Sequence, residues 1–201
     1  SQPLDATTAL DIYRHAVMDK HPRVRLEAIR GLGKLKTAEA ASVALISLNL
    51  PRDRFLDFAL ATTMDELADV FMIALDQGQW KPDSPAREKQ LEFALTSIDP
   101  GRAASYLSKR LVKEAIPADG TGPWIELIAQ AGGKAELTKL FEQVMKNDFE
   151  EPAMVRAIDA IATAQRVRKQ KPTGDLNRAS ALLTDSNPSV QTAAVRLVGV
   201  W

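Results

Sequence analysis

His15 and His21 are the only imidazoles in this chain, and cysteine is absent. A helical metal pair needs the spacing H-x-x-x-H. These two stand six apart, with Pro22 marking a turn directly after the second. Without cysteine, the chain itself offers no disulfide, thiolate zinc site, iron–sulfur ligation or c-type haem attachment. Carboxylates come in pairs: Asp53 with Asp57, and Asp65-Glu66 with Asp69. Spacing of four places two carboxylates on one helix face. General acid–base work would also require one of them to be desolvated in a pocket. Neighbouring Arg52 and Arg54 point instead to a solvated, charged face. No G-x-S-x-G, P-loop or dinucleotide fingerprint occurs, and Gly31-Leu32-Gly33 lies inside a helical pattern where small residues permit close packing. The expectation is a chain with no catalytic, metal-binding or cofactor-binding residues, and therefore no enzyme.

Residues that could bind rather than react are few. Arg166, Arg168, Lys169 and Lys171 form the one basic run, with Val167 and Gln170 interleaved. Such a cluster can neutralise phosphates. It can equally sit at a helix C-terminus, where the macrodipole favours cations, and Pro172 and Gly174 follow at once. That placement favours the structural role. Trp80 and Trp124 stand beside loops and Trp201 ends the last helix, so these three join the basic run as a candidate interaction surface. Phe55, Phe58, Leu60 and Phe71 follow helical spacing and are expected in the core. Lys plus Arg and Asp plus Glu both number 26, for a formal net charge of zero. A general nucleic-acid binder is expected to carry a basic excess, so nucleic acid is a disfavoured partner and protein the favoured one.

Helices must position these residues. Several of the eleven prolines follow a capping residue, as in Ser84-Pro85, Asp99-Pro100 and Asn187-Pro188. The side-chain oxygen can accept from the free N–H groups of a first helical turn, and proline at the next position loses no intrahelical bond. Gly78, Gly120 and Gly132-Gly133 stand where helices should stop. No stretch alternates with period two, so strands are not expected. Apolar spacing predicts helices over 5–19, 22–35, 38–48, 52–67, 69–77, 85–97, 101–114, 123–131, 134–146, 151–169, 175–184 and 188–201. Short connections imply antiparallel neighbours. No apolar run approaches the ~20 residues of a membrane span, and no leader peptide is evident.

Residues 19–35, DKHPRVRLEAIRGLGKL, and 185–201, DSNPSVQTAAVRLVGVW, align without gaps. Asp19 matches Asp185, Pro22 matches Pro188, Val24 matches Val190 and Ala28 matches Ala194; the same register pairs Ile29 with Val195 and Gly33 with Gly199. The shared apolar positions form one helical stripe, so Val24 is expected to be buried. A weaker copy passes through Pro152, Val155, Arg156 and Ala160. The interval between the two good copies holds about four units of the 40–47 residues typical of HEAT and armadillo repeats.

The pattern D-x-x-P-x-V-R-x-x-A at Asp19, Pro22, Val24, Arg25 and Ala28 resembles the HEAT-repeat motif. The resemblance implies an all-α, right-handed solenoid, a single domain of about five helical hairpins over 1–201. It also implies that Asp19 and Asp185 accept bonds in turns and that Arg25 and Arg156 donate along a ladder between repeats. Gln191 departs from the arginine position, where the ladder would end. Some HEAT-fold enzymes hold iron through His-Glu pairs; here His15 precedes Ala16 and His21 precedes Pro22. The segments HPRVRLEAIRGLGKL, LNLPRDRFLDFALATTMDEL and ALDQGQW resemble the helical middle part of large exported bacterial proteins that pair a sugar-dehydrogenase-like β-propeller with a cytochrome c domain. This implies a non-catalytic spacer between redox modules in a periplasmic or exported setting. The alternative is a HEAT-like DNA glycosylase, which would gather Arg166, Arg168 and Lys169 with Arg102, Lys109 and Arg110 on one concave surface. A ligand- or chromophore-handling HEAT protein would need a deep apolar pocket. Because the chain starts at Ser1 and ends on an apolar helix at Trp201, it is expected to be a piece of a longer protein whose last helix calls for a further partner.

Overall fold

The computed structural model describes residues 6–201; Asp5, the expected first residue of the opening helix, lies outside them. The described residues form an all-α protein with no strand. Its helices are α1 (Ala6–Ala16), α2 (Pro22–Gly33), α3 (Ala38–Ile46), α4 (Arg54–Glu66), α5 (Ala68–Asp76), α6 (Pro85–Ser97), α7 (Pro100–Lys113), α8 (Trp124–Ala131), α9 (Lys134–Met145), α10 (Glu151–Arg168) and α11 (Pro188–Val198). None is long and apolar enough to cross a membrane.

Local chemistry sets the helix starts. Pro22, Pro85, Pro100 and Pro188 each occupy the first helical position. Ser84 accepts from Arg87 N–H, Asp99 from Gly101 N–H and Asn187 from Ser189 N–H. Thr37 and Asp53 cap α3 and α4 in the same way. Each such cap satisfies a first-turn N–H that has no intrahelical acceptor. Gly78, just past α5, takes φ +71°, the left-handed conformation that glycine adopts at little cost. One predicted helix differs in kind: Leu176–Thr184 is a 3-10 helix. There the Ser180 and Thr184 hydroxyls donate to the carbonyls three residues back, which suits the tighter 3-10 winding.

The chain divides into two compact units, Ser1–Arg102 and Ala103–Trp201. In the first, α2 packs on α1, α3 and α4, and α4 packs on α3, α5 and α6. Its core holds Ile29, Leu32, Leu45, Leu60, Met64 and Phe71. In the second, α10 packs on α8, α9 and α11, and α11 also packs on the 3-10 helix. Its core holds Leu107, Ile125, Phe141, Ile158, Ile161 and Leu197.

The two motif copies lie in different units, α2 in the first and α11 in the second, and their buried faces differ. Val24 is not buried: it is 43% exposed, whereas its counterpart Val190 is 4% exposed. Glu27 is likewise exposed where Ala193 is buried, and Gly31 is half-buried where Leu197 is buried. On the adjoining stripe the relation reverses. Ile29, Leu32 and Gly33 are buried, while Val195, Val198 and Gly199 are exposed. Ala28 and Ala194, between the stripes, are buried in both. The neighbours explain the exchange. The second stripe of α2 is covered by α4, which follows it: the Thr63 hydroxyl donates to Ile29 O at 3.2 Å. The first stripe of α11 is covered in a unit where α10, which precedes it, is its main partner. Among the described residues only α1 precedes α2, and it leaves Val24 in an open groove.

Candidate interaction surface

A groove in the first unit runs between α2 and α4. The α4 cap aims the helix: Asp53 accepts from Phe55 N–H at 3.0 Å and Leu56 N–H at 2.9 Å. From that start Leu56, Ala59, Leu60, Thr63 and Met64 turn inward. Phe55, Phe58, Thr62 and Glu66 then form the neighbouring stripe, at spacings of three and four, and all four are exposed. The phenylalanines were expected in the core alongside Leu60 and Phe71. Leu60 and Phe71 are there, but Phe58 is 75% exposed and Phe55 is also exposed. Ala59 and Thr63 are buried instead, and the Thr63 hydroxyl makes the contact with α2.

Across the groove α2 presents Leu26, Glu27, Arg30, Gly31 and Lys34, and α1 contributes Tyr13. At Gly31 a Cβ would come within 2.5 Å of the Tyr13 ring. Its absence lets the ring lie directly on α2. The groove holds about 700 Å³. Its carboxylates are paired, Glu27 with Arg30 at 3.7 Å and Glu66 with Lys36 at 3.6 Å. The Arg54 guanidinium stacks over the Phe55 ring at 4.7 Å. Lys34 makes no ion pair among the described residues. The groove therefore combines an aromatic floor with a cationic margin. Of the carboxylates paired by spacing, Asp53 caps α4 and Asp57 pairs with Arg52 at 2.8 Å.

The interaction residues expected from sequence are placed differently. Trp80 is buried, edge-on to Phe71 and under the Arg87 guanidinium. Trp124 is buried under Arg110, whose guanidinium sits 4.3 Å from the ring centre. Both indoles are thus packed inside their units rather than displayed on the surface. Trp201 is half-buried against Phe141.

The basic run ends α10. The Arg168 guanidinium donates to Ile128 O, Ala129 O and Gly132 O at 2.8–3.0 Å, closing the C-terminus of α8, and burial lowers its pKa from the ordinary value. Lys169 adopts φ +57° and returns its ammonium to Arg166 O. Arg166 and Lys171 remain exposed. Of the other cations named with them, Arg102 lies in the first unit beside Asp65 O and Asp69, and Arg110 bonds Glu114.

The repeat motif's aspartates act within their own turns, and its arginines reach other segments. Asp19 accepts from His21 N–H and Asp185 from Asn187 N–H. Buried Arg25 donates to Asp19 O and to Pro51 O in the loop before α4. Arg156 bonds Glu126 and Gly120 O. Pro22 and Pro188 start their helices at exposed positions. No known family model, curated protein or solved structure matches the chain.

Proposed function

We propose that this chain is a non-catalytic HEAT-type scaffold, a right-handed solenoid of helical hairpins that binds protein. In this reading it serves as a spacer between flanking redox domains of an exported protein. The motif at Asp19–Ala28 and the exchange of buried faces between its two copies support the repeat reading, since each stripe belongs to contact with one neighbouring repeat. The observation that carries the binding reading is the exposed Phe58 in the α2/α4 groove. Aromatic residues, phenylalanine among them, and arginine are enriched at protein interfaces. The paired carboxylates and zero net charge support a protein ligand over a nucleic acid.

A displayed-peptide selection against the purified chain tests this. Recovered peptides should share an apolar anchor, and Phe58→Ala should weaken them at least about tenfold with an unchanged melting curve. Peptides whose affinity ignores both Phe58→Ala and Lys34→Glu would refute the groove. Turnover of a substrate, abolished by changing one polar residue, would refute the non-catalytic reading.

A further inference from the structure

The second unit has a groove of its own, between the end of α7 and one face of α9, and its charges do not balance. It holds about 530 Å³. Both walls have their neighbours within the unit: the Ser108 hydroxyl of α7 donates to Glu136 of α9, and α9 packs on α8 and α10. Two carboxylates line the groove, and an arginine holds each at 2.7 Å, Arg110 on Glu114 and Arg178 on Glu142. Three lysines line it as well, Lys113, Lys139 and Lys146, all exposed. None of the three makes an ion pair among the described residues. Between these cations the lining is apolar, with Val112 79% exposed and Ala115 and Ala135 exposed beside it.

The walls are also fixed in place. Gln143 clamps the chain that leaves α7, donating to Ile116 O at 3.0 Å and accepting from Ile116 N–H at 3.1 Å. The Thr138 hydroxyl oxygen accepts from Thr173 N–H at 2.9 Å and holds that segment against α9. A groove held this way loses little freedom when it is filled.

We propose that the α7/α9 groove binds an acidic segment of a partner protein, with carboxylates on the lysine ammoniums and an apolar side chain on Val112. Charge complementarity carries the assignment. Lys139 and Lys146 are seven residues apart in sequence, roughly 10 Å along a helix that rises 1.5 Å per residue. That separation answers charges strung along a peptide rather than one compact anion. Among the described residues no aromatic ring lines the groove, so it offers bases no stacking platform. The inference is independent of the Phe58 groove in the first unit and of the helical-repeat reading.

Fluorescence anisotropy with the full chain tests it. The probe is a short fluorescein-labelled peptide of glutamate and alanine with one leucine; its control carries glutamine in place of glutamate. The wild type should bind the acidic probe, more weakly as salt rises, and should ignore the control. Lys139→Glu with Lys146→Glu should weaken binding at least about tenfold, and Val112→Asp should weaken it in the same direction. All three positions are exposed, so the melting curve should not move. Lys139→Gln with Lys146→Gln removes the charges without adding carboxylates and should give a smaller loss of the same sign. Lys89→Glu with Arg166→Glu makes the same change in net charge at exposed positions outside the groove and should leave binding within about twofold. Phe58→Ala should leave it unchanged. Equal loss from the Lys89/Arg166 pair, equal binding of the glutamine control, or no loss from either Lys139/Lys146 pair would overturn the proposal. So would displacement of the probe by an equal charge concentration of inorganic phosphate, or tighter binding of a single-stranded oligonucleotide that the Lys139/Lys146 variants also lose.

Discussion

Arg25 and Gln191 occupy the same position of the two motif copies, and each bonds the main-chain carbonyl six residues before it. Arg25 reaches Asp19 O at 2.9 Å and Gln191 reaches Asp185 O at 2.6 Å. Only the longer arginine continues outward, to Pro51 O at 2.7 Å. The glutamine thus preserves the turn and drops the link to the next helix. Arg25→Leu should destabilise the protein by about 1–3 kcal/mol, the cost of carbonyls left without a donor in a buried place. Arg25→Gln should recover part of that loss by restoring the bond to Asp19 O. Urea denaturation of the two variants measures the difference; equal losses would show that the turn bond contributes nothing.

The two valines of the motif should respond oppositely to a charge. Val190→Asp places a carboxylate at a site 4% exposed, which should cost roughly 3 kcal/mol or more. Val24→Asp changes a residue 43% exposed and should fall within about 0.5 kcal/mol of the wild type. Thermal melts at low protein concentration, below any self-association, check the order. A larger loss at Val24 would mean that the face toward α1 is closed.

These two valines also show what was legible in the sequence. Helix positions were, because their causes are local: a proline after Ser84, Asp99 or Asn187, and glycine at Gly78. So was the register of the motif. Which stripe is covered was not, because that depends on whether a helix stands before or after the copy. The same limit hid the site. Phe55 and Phe58 share their helix with Leu56 and Leu60 at similar spacing, and the contact of Thr63 with α2 fixes which stripe turns inward. Trp80 and Trp124 sit by loops, yet Phe71, Arg87 and Arg110 from other helices enclose them.

Arg168 should matter for folding and its basic neighbours should not. Its three carbonyl acceptors close the end of α8. Arg168→Met should lower stability by about 1–2 kcal/mol, in the range of hydrogen bonds to a charged group on a partly exposed site. Arg168→Lys should recover little, because an ammonium cannot fork to three acceptors fixed for a guanidinium. Arg166→Ala and Lys171→Ala, both at exposed positions, should stay within about 0.5 kcal/mol. Four denaturation curves decide it, and a uniform effect across all four would mean that the run acts only through its summed charge.

Glu136 ties the start of α9 to α7 and gives the second unit an acid-sensitive contact. Its carboxylate accepts from the Ser108 hydroxyl at 2.6 Å and from Gly133 N–H at 2.9 Å. Burial pushes this carboxyl's pKa up, but the bonds from Ser108 and from the backbone N–H groups of Glu136 and Gly133 outweigh it and hold the pKa below its ordinary value. A carboxyl whose folded pKa is depressed binds its proton more readily in the unfolded chain. Its contribution to stability is therefore present above the ordinary glutamate range and fades as pH falls through the lower folded value. Glu136→Gln should be less stable than wild type at neutral pH, with the gap closing as the solution is acidified past that window. Ser108→Ala should shift stability in the same direction by less, since the Gly133 bond survives. Urea midpoints recorded from neutral to acidic pH would show this convergence; a gap between wild type and Glu136→Gln that stays constant with pH would mean that the carboxylate's charge plays no part in the cap.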